Sequence, residues 1–83
     1  MEARNPITLY ETREKMASLK IGQKMKLRQY NYLRETPAEA LYHEEMCTIT
    51  EIYPSVVVFQ RPNGMKCSRT GVELVMADRG TPI

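Results

Sequence analysis

Apolar side chains change their spacing several times along the chain, and each change marks an element. Over residues 5–19 they recur at helical intervals. Leu9, Met16 and Leu19 fall on one face, with Thr12 or Arg13 between them. Thr8 followed by Glu11 is a capping-box pair, with Pro6 just upstream. The Thr8 hydroxyl can accept from an orphan N–H of the first turn while Glu11 bonds back. A helix over about 8–19 follows, with Leu9, Met16 and Leu19 as its buried face. Gly22 ends it, and Lys20 sets a cation at the negative end of the helix dipole.

From residue 23 the period drops to two. Met25, Leu27 and Leu33 take odd positions, and Lys24, Lys26, Arg28, Tyr30, Tyr32 and Arg34 take even ones. This pattern predicts one long half-buried strand over 23–34. Residues 35–45 break it. Thr36-Pro37 is an extended or turn dipeptide, and the rest reads as a short helical turn or an acidic loop, a long excursion between strands.

Four further strands are expected. Residues 46–53 are rich in β-branched side chains, Pro54-Ser55 turns the chain, and Val56–Arg61 is the strongest strand signal in the sequence. Pro62-Asn63-Gly64 is a hairpin turn leading into a strand at 65–69. Thr70–Glu73 reads as a tight turn, Leu74–Ala77 as a last short strand, and residues 78–83 as a frayed tail. Five short strands at this spacing predict a mainly β fold, a small five-stranded SH3-like barrel with an N-terminal α-helix.

Length and composition change that picture little. The chain has 83 residues, room for one domain with a thin core, and a binding surface is a simpler expectation than a deep cleft. Its net charge is +2, with 12 basic and 10 acidic residues, short of the strongly basic profile of a dedicated nucleic-acid binder. The N-terminus lacks the apolar stretch of a signal peptide, and the longest apolar run is Val56–Phe59. A cytoplasmic protein without membrane partners is therefore expected. Cys47 and Cys67 do not have metal-site spacing and are expected to be reduced strand residues, able to lie near each other across strands.

Catalytic chemistry is sparse. The sequence has no phosphate-binding loop and no dinucleotide fingerprint. His43 is the only histidine, so a four-ligand zinc site is not expected. Glu35, Glu39, Glu44 and Glu45 cluster, but without the glycine that shapes a hard-cation loop. No enzyme activity, cofactor or metal is expected.

The even face of 24–34 stands out. Lys24, Lys26, Arg28 and Arg34 share it with Tyr30 and Tyr32, and no acidic residue occurs from Ile21 through Arg34. Cations and aromatics on one strand face can hold phosphates and stack bases, or anchor a protein partner. The same pattern also suits a solvated sheet face whose lysines discourage edge pairing. The acidic segment that follows either neutralises this face or gives the domain a positive and a negative side, which would favour self-association or a charged partner. The expectation is a binding face for nucleic acid or protein at Lys24, Lys26, Arg28, Tyr30, Tyr32 and Arg34, with a homo-oligomeric unit as the alternative.

Two stretches carry a family resemblance. One is the capped helix leading into Lys20-Ile21-Gly22-Gln23-Lys24-Met25-Lys26-Leu27. The other is Ile52-Tyr53-Pro54-Ser55-Val56-Val57-Val58-Phe59, followed by a hairpin and a return ending in Val72-Glu73-Leu74. Together they resemble the Veg family of small bacterial proteins, and related small SH3-like proteins of phages and mobile elements. Tyr53-Pro54-Ser55-Val56 is the most specific piece. Where Veg proteins carry a basic Gly-Arg-rich segment, this chain has Arg28–Arg34 and then the acidic excursion, and Cys67-Ser68-Arg69-Thr70 replaces a serine- and tyrosine-rich segment. The resemblance implies a non-catalytic regulatory protein, linked to biofilm and transcriptional control.

Overall fold

The computed structural model describes residues 6–30 and 41–83. In chain order they form α1 (Leu9–Ala17), β1 (Lys24–Tyr30), β2 (Tyr42–Ile52), β3 (Val56–Gln60), β4 (Lys66–Thr70) and α2 (Gly71–Asp78). The strands make one antiparallel sheet in the order β1-β2-β3-β4, curled into a half-barrel. A meander of this kind needs only short connections. Between β2 and β3 the Tyr53 N–H donates to the Val56 carbonyl across Pro54-Ser55. Between β3 and β4, Gly64 N–H donates to Arg61 and Arg61 N–H to Met65, closing a three-residue loop in which Gly64 has φ 90°. That left-handed conformation suits glycine, and Pro62 supplies the fixed φ before it.

The concave side of the sheet holds the core. Leu27, Cys47, Ile49, Val57, Phe59 and Leu74 are fully buried, and Met16, Leu19 and Val75 nearly so. Each strand supplies alternate residues to this side, as the burial pattern of β1 shows: Met25, Leu27 and Gln29 turn inward, while Lys24, Lys26, Arg28 and Tyr30 stay exposed. Full burial of an aliphatic or aromatic side chain stabilises by about 1.5–3 kcal/mol, so these few residues carry most of the hydrophobic term. Cys47 and Cys67 are free thiols. Burial pushes the Cys47 thiol up, and the neighbouring Cys67 adds to the effect. The Gln29 side-chain amide lies 3.6 Å from Cys67 Sγ.

The N-terminal helix forms where its capping box predicts. Thr8 Oγ1 accepts from Glu11 N–H at 3.1 Å, and Glu11 Oε1 accepts from Thr8 N–H at 3.3 Å. Met16 and Leu19 are buried, but Leu9 is 65% exposed. The contact face begins at Glu11 and Thr12, which meet α2, and the first turn projects past it.

The main departure lies at residues 71–78. The sequence pattern suggests a tight turn and a fifth strand there; the structure has α2 instead. Thr70 and Glu73 form a second capping box, with Thr70 Oγ1 accepting from Glu73 N–H at 3.1 Å and Glu73 Oε1 accepting from Thr70 N–H at 2.8 Å. That local start signal, with Gly71, Leu74 and Val75 buried on one side, outweighs the β propensity of Val72 and Val75. The described strands therefore number four rather than five, and the sheet ends as a half-barrel.

A second departure concerns residues 78–83, expected to fray. Arg28 N–H donates to the Ile83 carbonyl at 2.9 Å, and Ile83 packs against the core. Arg69 holds the same seam. Its Nε donates to the Ile83 carbonyl, its Nη2 to the Arg28 carbonyl at 2.7 Å and its Nη1 to the Ser68 carbonyl. The tail thus covers part of the β1 edge and links it to β4, satisfying backbone groups that an open edge would leave to water.

Candidate functional site

The convex side of the sheet carries the candidate face. In the β1–β2 register Lys24 faces Thr48, Lys26 faces Met46, Arg28 faces Glu44 and Tyr30 faces Tyr42. Residues 42–45, expected in the acidic excursion, are instead the first residues of β2. They continue its alternation, with Tyr42, Glu44, Met46 and Thr48 on the convex side and Glu45, Cys47 and Ile49 turned the other way. Of the six residues expected to form the face, Lys24, Lys26, Arg28 and Tyr30 are brought together as expected. Tyr32 and Arg34 lie outside the described residues, as do Glu35 and Glu39.

Lys26 and Arg28 each meet a β2 side chain along one diagonal of the register, as neighbours i and j±2 do in antiparallel pairs, while Tyr30 and Tyr42 meet directly opposite. The Lys26 ammonium lies 3.8 Å from Glu44 Oε1. The Arg28 guanidinium carbon lies 3.9 Å from the centre of the Tyr42 ring, a cation–π contact. The Tyr42 and Tyr30 rings meet edge to face at 5.4 Å between centroids. Tyr42 is 45% exposed, Tyr30 41% and Met46 51%, so the face has accessible apolar surface at its tyrosine end and at Met46, on either side of Glu44.

Two shallow depressions flank the Lys26–Met46 pair. One, of about 390 Å³, is lined by Lys24, Met46, Thr48, Gln60, Arg61 and Pro62. The other, of about 230 Å³, lies between Lys26, Arg28, Glu44 and the tail residues Gly80–Ile83. Lys66, opposite Gln60 in the β3–β4 register, adds a fourth cation and donates to Thr50 Oγ1 at 3.1 Å. Among the described residues the face holds four cations against Glu44 at its centre and Glu51 past the β2 bulge, where Tyr53 donates to the Glu51 carboxylate. Sequence reasoning missed Tyr42, Met46 and Lys66. The even-numbered alternation of 42–48 was the available signal for the first two.

The other expected chemistry lies elsewhere. Glu44 and Glu45 occupy opposite faces of the sheet, so the two do not form a common carboxylate site. Glu45 is held by a two-point contact, Arg61 Nε to Oε1 at 2.8 Å and Nη2 to Oε2 at 3.2 Å, with His43 Nε2 2.8 Å from Oε2. Hydrogen bonding from Arg61, then from His43, outweighs desolvation and lowers the Glu45 pKa from 4.5 to about 2. A carboxylate with a depressed folded-state pKa contributes stability that is present above its unfolded value and lost as pH falls through the folded one. Acid unfolding should therefore steepen from about pH 4.5 toward pH 2. The Glu45→Gln variant should be less stable at pH 7, by about 1–2 kcal/mol, and show a flatter pH dependence in that window. Denaturant titrations at pH 7, 4 and 2.5 check this; parallel curves for both proteins would refute it.

No protein-family model, curated protein or solved structure matches the chain. The Veg-like resemblance accordingly rests on the sequence motifs that carry it.

Proposed function

We propose that the protein is a non-enzymatic regulatory binding module that takes nucleic acid on the convex face of its sheet. The observation behind this reading is the run of Lys24, Lys26 and Arg28 along β1 beside the exposed Met46, Tyr42 and Tyr30, with Lys66 in the same cross-strand row as Lys24. Phosphates supply the complementary charge, and such contacts release counterions, so affinity depends steeply on salt. The modest net charge of +2 is no obstacle, because four cations stand on this face against Glu44 and Glu51, while Glu11, Glu45 and Asp78 are engaged by Arg79, Arg61 and Lys15 elsewhere. Control of transcription or of biofilm genes, as the Veg resemblance implies, would act through such a contact.

A double charge reversal, Lys24→Glu with Lys26→Glu, tests the reading. Fluorescence anisotropy with labelled oligonucleotides at low and moderate salt should show Kd rising at least about tenfold, with the circular dichroism spectrum unchanged. Binding that matches wild type would refute the assignment of this face. The second reading is a protein-interaction adaptor, favoured by the exposed Met46 and the tyrosine pair. It predicts a contact that depends on these side chains and changes little with salt.

A further inference from the structure

We infer that the ligand of this face is a single strand, bound by exchanging two contacts that the free protein makes with itself. The inference rests on the nucleic-acid reading above. On the convex face, the Glu44 carboxylate sits against the Lys26 ammonium at 3.8 Å, and the Arg28 guanidinium sits over the Tyr42 ring at 3.9 Å. The carboxylate occupies the position a phosphate would take, and the planar guanidinium the position of a base. Both occupants come from neighbouring positions on facing strands, so one nucleotide can replace the two together. Its phosphate would draw Lys26 and Arg28 away from their present partners, and its base would take the vacated face of Tyr42. Tyr30, edge-on to Tyr42 at 5.4 Å, borders that position.

This exchange needs an unpaired base. Bases in a duplex present only their edges in the grooves, and their faces are stacked on one another, so a tyrosine ring gains nothing from them. The convex face also presents strands rather than a helix, and tyrosine and cation side chains in the arrangement that sequence-tolerant single-strand binders use. The two depressions lie to either side of the Lys26–Met46 pair, one bordered by Lys24 and the other by Lys26 and Arg28. A strand running along β1 from the tyrosine pair meets Arg28, Lys26 and Lys24 in succession.

Glu44 then acts as an internal competitor that sets affinity. Replacing it with Gln keeps size and polarity while removing the charge that rivals phosphate, so Glu44→Gln should bind more tightly, by about three- to tenfold at low salt, with the gain shrinking as salt screens it. Tyr42→Ala should weaken binding by about tenfold or more through lost stacking, and Tyr42→Phe should restore most of it.

The test is fluorescence anisotropy of the full chain with labelled mixed-sequence oligonucleotides of about 12 nucleotides, as single-stranded DNA, single-stranded RNA and the DNA duplex. The single strands should bind at least about tenfold more tightly than the duplex, with Tyr42→Ala abolishing the difference and Glu44→Gln tightening both single strands. Comparing the DNA and RNA strands shows which sugar the face prefers. Equal binding of duplex and single strand, with both variants silent, would overturn the single-strand exchange and leave the nucleic-acid reading intact. No binding of any oligonucleotide at low salt would overturn both.

Discussion

Placing a methyl group on Gly71 should destabilise the protein by about 1–3 kcal/mol, and a valine there by more. Gly71 is buried at the start of α2, where its N–H donates to the Ser55 carbonyl. A Cβ at this position would lie 2.5 Å from Thr12 Cγ2 and 3.3 Å from Met16 Sδ. The threonine methyl is attached directly to a β-carbon of α1 and cannot swing away as the end of a long side chain would. Relief requires the two helices to part, which loosens the Glu11–Arg79 and Lys15–Asp78 pairs and the packing of Met16. Alanine's better helix propensity offsets about 1 kcal/mol at most. Against a total stability of about 4–12 kcal/mol for a chain this size, the loss lowers Tm by roughly 5–20 °C. Thr12→Ser supplies the control. It removes the clashing methyl and keeps the hydroxyl that donates to the Thr8 carbonyl at 3.1 Å. The double variant Gly71→Ala with Thr12→Ser should recover about 1 kcal/mol or more relative to Gly71→Ala alone. A Gly71→Ala protein as stable as wild type would show that the helices do not approach this closely.

Arg69→Ala should cost about 2–3 kcal/mol, and the damage should be local. One guanidinium serves three carbonyls, those of Arg28, Ser68 and Ile83, from its position on β4. No other side chain of the described residues connects β1, β4 and the tail in this way. Its removal leaves the Arg28 carbonyl to water and the tail held to the β1 edge by the Arg28 N–H bond to Ile83 alone, which weakens that attachment. Hydrogen exchange reads the result directly. The Arg28 amide, bonded to the Ile83 carbonyl, should lose its protection, while amides within the β2–β3 ladder keep theirs. Arg69→Lys should recover little, because an ammonium cannot span three acceptors with the planar fork of a guanidinium. Retained protection of the Arg28 amide in Arg69→Ala would refute the role of the clamp.

Much of the architecture is legible in residue spacing, and the failures have identifiable physical causes. Strand β1 is written in the alternation of Lys24–Tyr30, and the first helix in its capping box. The second helix carries the same box, Thr70 with Glu73, but Val72 and Val75 are β-branched and the run is short, so it reads equally as a turn and a strand. Leu9 shows the limit of periodicity, which assigns a residue to a face but not to a neighbour. The tail and the Arg69 clamp depend on contacts 14 and 41 residues apart in sequence, beyond any local pattern. For the candidate site, the sequence supplied one strand of a two-stranded arrangement. Tyr42 and Glu44 become partners of Arg28 and Lys26 only once the register is known.

The strand order also bears on how the chain reaches its native state. Every neighbouring pair in the sheet is consecutive in sequence, so the two hairpins from β2 to β4 can close over short loops on the microsecond scale. The docking of α1 against α2 is different, since Glu11 and Arg79 lie 68 residues apart. Closing so long a loop is an entropic expense that the chain recovers only after the sheet has given α2 a fixed place to stand. The helix pair is thus expected to lock late, on a sheet already formed. Its contribution falls on how slowly the native protein comes apart rather than on how quickly it assembles.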